Sequence, residues 1–232
     1  MQPRLNLAVI VVGVAAGIGL WNSSTGWAAP KTARTSQPKA AEAQPGDVDL
    51  ERSRVYVFVG KTGLGHEHGV EAKLKSGHLN WGEKSGSGEL VFDMESFDAD
   101  TEEARSHVGL EGEIKESTRQ QVNANMRGPG VLDVEKFPTA KFTIKTISPL
   151  KQTKADAPPA WQLDGEFTLH GVKKPLRVVA RAEPKKGMLH VRGRFAILQT
   201  QYGIKPFSKG LGAVGVADEL QIWGDLWVHG EK

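Results

Sequence analysis

The tripeptide His66-Glu67-His68, set between Gly65 and Gly69, is the part of this 232-residue chain most suited to chemistry. On extended backbone, residues two apart point the same way, so both imidazoles can face one ion. A protein-bound metal wants three or four ligands. His78, His107 or His170 would have to supply the next one, and no spacing requires any of them to do so. One reading is therefore an envelope metal-binding protein or hydrolase centred on His66 and His68. The competing reading is a polar turn whose histidines hydrogen-bond locally or face water. Gly210-Leu211-Gly212-Ala213-Val214-Gly215 matches the G-x-G-x-x-G pattern. A dinucleotide site needs that loop between a strand and a helix. Here Val216-Ala217-Asp218-Glu219 leads into a final strand, so the loop reads as a flexible rim. Asp98, Asp100, Glu102 and Glu103 form a run of carboxylates on a charged stretch with no apolar neighbours to raise one of them for acid catalysis. The chain has no cysteine, which excludes disulfides, thiolate metal sites and a thiol nucleophile. No residue stands out as a catalyst, so the expectation is a protein that is not an enzyme, with no cofactor and no resident metal.

The elements around these residues alternate with period two. Trp161, Leu163, Gly165, Phe167 and Leu169 alternate with polar residues, as do Phe142 and Ile144, and Leu189, Val191, Gly193, Phe195 and Ile197. Such alternation marks strands with one buried and one wet face. Arg54–Val59, Val70–Leu79, Gly88–Met94, Leu176–Glu183 and Leu220–His229 bring the total to about eight strands, joined by short connections rich in glycine and proline. That pattern predicts an all-β barrel or sandwich. Glycines at 165, 193 and 224 fall on the apolar parity of their strands, where a barrel needs bends and small walls. A sandwich with a filled core is the alternative. Asp100–Arg127 differs: it reads as two short helices broken at Leu110-Glu111-Gly112, the second placing Ile114, Val122 and Met126 on one side. Trp223 and Trp227 interrupt the polar face of the last strand, which predicts that part of its outside is covered.

The N-terminus reads as an export signal. A short n-region with Arg4 precedes the uncharged run Leu5–Trp21, and Gly26-Trp27-Ala28 puts small residues where a signal peptidase reads. Residues 1–28 are thus expected to be removed; the other possibility is an uncleaved anchor, since about 17 apolar residues is the lower limit for a span. Residues 29–48, rich in Pro, Ala, Lys, Gln and Ser, read as a disordered tether, with the folded domain at 49–232. Thirty basic residues against 27 acidic ones leave little net charge, and Lys173-Lys174 and Lys185-Lys186 sit beside turns. Neither composition nor clustering fits nucleic-acid binding.

Three ordered segments carry a resemblance. Val131-Leu132-Asp133-Val134-Glu135-Lys136-Phe137-Pro138-Thr139-Ala140-Lys141-Phe142 is similar to the DVEKYPTxxF segment of the YceI-like family. Phe167-Thr168-Leu169-His170-Gly171-Val172-Lys173-Lys174-Pro175-Leu176 resembles its LTIHGVTKPV segment. Gln201-Tyr202-Gly203-Ile204, with Leu211–Leu220 after it, is the third match. The family's usual start differs here, because His66-Glu67-His68 is inserted between glycines. The resemblance implies a periplasmic, lipocalin-like, eight-stranded antiparallel barrel with one or two short helices. It implies a lumen holding a polyisoprenoid or another long-chain lipid, with transient contact to a membrane. A closed barrel turns the apolar parity inward. Phe142, Ile144, Trp161, Leu163, Phe167, Leu169, Phe195 and Ile222 are therefore the expected ligand-binding residues of the lumen. His170 is read as a residue that locks its turn.

Overall fold

The computed structural model describes residues 43–82, 85–151 and 159–230. The expected signal peptide, the tether up to residue 42 and nearly all of the 153–159 loop lie outside the described residues. Among these, β1 (Arg54–Gly63), β2 (His68–Ala72), β3 (Leu74–Asn80), β4 (Gly86–Asp93) and β5 (Asp98–Ala99) come first. The helices α1 (Glu102–Val108) and α2 (Glu116–Arg127) follow. Then come β6 (Thr139–Pro149), β7 (Ala160–Leu169), β8 (Val172–Lys185), β9 (Met188–Leu198), β10 (Ser208–Lys209) and β11 (Val214–His229).

One antiparallel sheet runs β3-β4-β6-β7-β8-β9-β11-β1-β2-β5. Its two ends meet because β2 and β3 are halves of one strand, interrupted only at Lys73. The upper half pairs with β1 and the lower half with β4. Counted as one, they leave eight long strands, as the hydrophobic period requires; β5 and β10 are two-residue additions. The ring closes in its lower half through a segment just ahead of β1. Asp47 bridges to His78 and Val48 to Val228, so this segment stands between β3 and β11. Val48 N–H donates to Gly77 O at 2.9 Å, and Leu79 N–H donates to Gly46 O at 2.8 Å. Val48 is buried. Residues 46–48 therefore belong to the folded unit, earlier than the change of composition at Asp49. Their signal was hidden because a Pro- and Ala-rich run with a single valine has no period to read.

Apolar residues of one parity fill the inside. Val55, Val57, Val70, Leu90, Phe142, Leu163, Phe167, Val178, Ala180, Val191 and Leu226 are all buried. A β-branched or leucine side chain taken fully out of water contributes roughly 1.5–3 kcal/mol, and this wall supplies most of the domain's driving force. The helices divide their work. α1 packs on the outer wall over β1 and β2, held by Tyr56 O–H donating to Glu103 Oε1 at 2.5 Å. His107 stacks on Tyr56 with ring centroids 3.8 Å apart and meets Trp223 edge-on. Trp227 is covered by His190, stacked at 4.2 Å, and by Arg52. The two tryptophans on the outer face of β11 are thus both sheltered. α2 lies across one barrel end: Asn123 Oδ1 accepts from Ala99 N–H at 2.8 Å, which ties the helix to β5.

Candidate lumen site

The barrel encloses a cavity of about 380 Å³, within the range of small-molecule sites. Its walls come from every long strand except the lower β3 half, and they are almost wholly apolar. Of the residues expected in the lumen, Phe142, Leu163, Phe167, Leu169, Phe195 and Ile222 line it. Phe142 and Phe195 each meet Phe167 edge-on, with centroids 6.5 and 6.2 Å apart, so one aromatic cluster forms a wall segment. Ile144 and Trp161 share the parity but are placed elsewhere. Ile144 is buried beside a register shift between Ile144 and Thr146, where the β6–β7 ladder slips. Trp161 lies toward the far end of β7 and packs edge-on against Trp81 at 5.2 Å.

The glycines of that parity have two different roles. A Cβ at Gly224 would meet nothing within 4 Å, so this position opens onto the empty lumen. A Cβ at Gly165 would fall 2.2 Å from Thr143 O, so there the glycine serves close strand approach and not cavity space.

The polar part of the lining gathers at one end. Thr118, Gln121 and Asn125 project from α2, with Val122 and Met126 completing the lid's apolar stripe. His66 comes from the β1–β2 turn, His68 is the first residue of β2, and Lys209 belongs to β10. Sequence periodicity located Val122 and Met126 but not their polar neighbours, because a barrel lid must present both to the mouth.

His68 is buried, and its Nδ1–H donates to Asp100 Oδ2 at 2.6 Å. The other oxygen, Asp100 Oδ1, accepts from Arg105 Nη1 at 3.0 Å and from Gly69 N–H at 3.3 Å. Arg105 is itself buried and donates Nε–H to Gly112 O at 2.8 Å. Burial would push the Asp100 carboxyl up, but the bonds from His68 and Arg105 outweigh it and hold it below the usual carboxylate range. The sequence shows no apolar neighbours to raise any carboxylate of this run, and Asp100 is indeed lowered, yet it is buried. Asp100 is buried because a positive φ of 58° turns it inward between β5 and α1. A positive φ in a non-glycine residue leaves no clear mark in sequence.

The histidines that could have completed a metal site are engaged apart. His78 donates Nδ1–H to Asp47 Oδ1 at 2.9 Å, His107 stacks on Tyr56, and His170 packs on Phe137 at 4.3 Å. His170 and Gly171 both have positive φ, 51° and 76°, so the β7–β8 connection is a two-residue turn held by that ring contact. Among the described residues no group of three His, Asp or Glu side chains converges. His66 and His68 do lie together, rings edge-on at 5.2 Å.

The YceI-like domain profile matches residues 47–226. Two solved structures share the architecture. One is Burkholderia cenocepacia BcnA, at 20% identity, covering 78% of this chain and 99% of its own, with a TM-score of 0.54. The other is a polyisoprenoid binding domain from Saccharophagus degradans implicated in plant cell wall breakdown, at 12% identity, covering 81% and 100%, with a TM-score of 0.53. No curated protein matches the chain.

Proposed function

Since the chain belongs to the YceI-like family, we propose that it is an exported binding protein that holds one polyisoprenoid or similar long-chain lipid inside its barrel. The observation that carries this reading is the cavity itself: an apolar space of about 380 Å³ walled by the barrel strands, with its polar groups gathered at one end. A chain that enters it recovers roughly 25 cal/mol for each Å² of apolar surface withdrawn from water. The leader-like pattern of residues 1–28 supports delivery to the periplasm. Titration with the apolar fluorophore N-phenyl-1-naphthylamine tests the reading. One saturable site per chain, displaced by farnesol, is expected; a linear, non-saturable signal contradicts it.

The rim of the polar end suggests where the ligand is exchanged. Leu64 is 85% and Leu211 110% exposed, at the tips of two adjoining loops. The loops are tied by Leu64 N–H donating to Ala213 O at 2.8 Å. Lys61, Lys205 and Lys209 are exposed around them. Two bare leucines ringed by lysines, beside the mouth of an apolar cavity, fit transient contact with an anionic bilayer, since apolar insertion and charge attraction add. Replacing Leu64 and Leu211 together with serine is expected to cut binding to vesicles of 3:1 phosphatidylcholine and phosphatidylglycerol severalfold. Unchanged binding would remove the rim from this role.

A further inference from the structure

The geometry points to His68 as the residue that recognises the ligand's head, and to an uncharged hydroxyl as the chemistry of that head. This inference rests on the proposed reading of the barrel as the container of a long apolar chain. It begins from the proton on His68. The ionised Asp100 carboxylate can only accept, so the short 2.6 Å bond fixes the proton on Nδ1. Asp100 is in turn gripped by Arg105 at 3.0 Å, and the Asp100 side chain has no exposure. The ring is thereby held in one orientation and one tautomer, as second-shell partners hold a functional histidine.

The remaining nitrogen, Nε2, makes no protein hydrogen bond among the described residues, nor is it a sealed orphan. His68 shares the inward parity of Val70 and lines the cavity, so Nε2 opens onto the lumen's polar end. The charge of Asp100 is already balanced by Arg105. With Nδ1–H committed to Asp100, Nε2 offers a lone pair, and a lone pair selects a donor. At the same end of the lumen Thr118, Gln121 and Asn125 are uncharged, His66 lies edge-on to His68 at 5.2 Å, and Lys209 is exposed. An anion cradle would need converging cations or arginine forks, and this collar supplies amides, a hydroxyl and a second imidazole instead. A prenol or a phenol fits that set; a prenyl phosphate does not.

Three probes with one chain separate the possibilities: farnesol, farnesyl methyl ether and farnesyl phosphate, each measured by displacement of N-phenyl-1-naphthylamine. The ether keeps the oxygen and the chain but has no proton to donate. Wild type is expected to bind farnesol roughly three- to tenfold more tightly than the ether, the worth of one hydrogen bond. His68→Phe should bind the two equally while still taking up the ether. His68→Gln, which keeps an acceptor near Nε2 and loses less packing, should restore part of the preference. Equal binding of farnesol and ether by wild type overturns the inference and leaves the container reading standing. So does tighter binding of farnesyl phosphate, or a farnesol preference that survives in folded His68→Phe. Failure of all three probes to enter wild type contradicts the container reading itself.

Discussion

Gly224→Phe is expected to empty the barrel of ligand without unfolding it. The position sits mid-strand in β11, opposite Gly193 of β9 and Val55 of β1, and a side chain there starts into open space. The strand needs no glycine at this point for its backbone, because φ is not positive. A phenyl ring placed in a cavity of about 380 Å³ occupies room that the ligand would use, while burying apolar area of its own. Saturable binding of N-phenyl-1-naphthylamine should fall by tenfold or more, with Tm equal to or above that of wild type. Leu163→Glu should act in the same direction by another route. Leu163 is buried in the wall, and an unpaired carboxylate there costs several kcal/mol or stays protonated. Because it also risks the fold, strand content by circular dichroism has to accompany it. Full binding by a folded Gly224→Phe protein would place the ligand somewhere other than the lumen.

The largest loss of stability is expected from Arg105→Ala. Removing one partner of a buried ion pair typically costs about 3–5 kcal/mol, since the other charge stays behind uncompensated. Here it would strand Asp100 and also release Gly112 O from its donor. For a domain of this size that is a fall in Tm on the order of 10 °C. Adding Asp100→Asn to Arg105→Ala should recover part of the loss, because the orphaned charge is then gone. A Tm within two degrees of wild type for Arg105→Ala would remove the network from the stability of the fold.

The same groups give the fold an acid limit. Asp100 has its folded pKa lowered from 3.8, by His68 and Arg105 against the opposing effect of burial. Its contribution is therefore fully present above 3.8 and is lost as pH falls from there through the lower folded value. His107 is lowered from 6.5, chiefly by burial between α1 and the barrel wall. Folding favours its neutral form, so the unfolded chain binds more protons as pH drops below 6.5, and stability falls there as well. Both effects have one sign. Denaturant midpoints should decline from pH 7 to pH 5 with His107 intact, and less steeply in His107→Phe.

The parts that alternate were legible in sequence. A period of two over β6, β7, β9 and β11 marked the apolar parity, and six of the eight lumen residues named from it line the cavity. Ile144 fails at a register shift, and strand parity says nothing about where a ladder slips. Trp161 fails because parity gives the face but not the height along the barrel. The helical stretch was visible from its charge and its break at Leu110-Glu111-Gly112, yet its roles were not. That α1 covers the outer tryptophans and α2 covers the mouth follows from the tie of Asn123 to β5 and of Glu103 to Tyr56, which are long-range contacts. The burial of Asp100 was not legible, since it depends on a left-handed backbone and two partners distant from any motif. The staple formed by residues 46–48 was hidden for a simpler reason: pairing in single bridges needs no pattern at all.

We propose that one long apolar chain occupies the barrel. Native mass spectrometry of the protein purified without detergent from a bacterial envelope addresses it most directly. The expected spectrum has one adduct of several hundred daltons per chain, removed by organic solvent and absent from Gly224→Phe prepared in parallel. A folded wild-type protein that flies only at its bare mass, and stays so after incubation with an envelope lipid extract, would contradict the account.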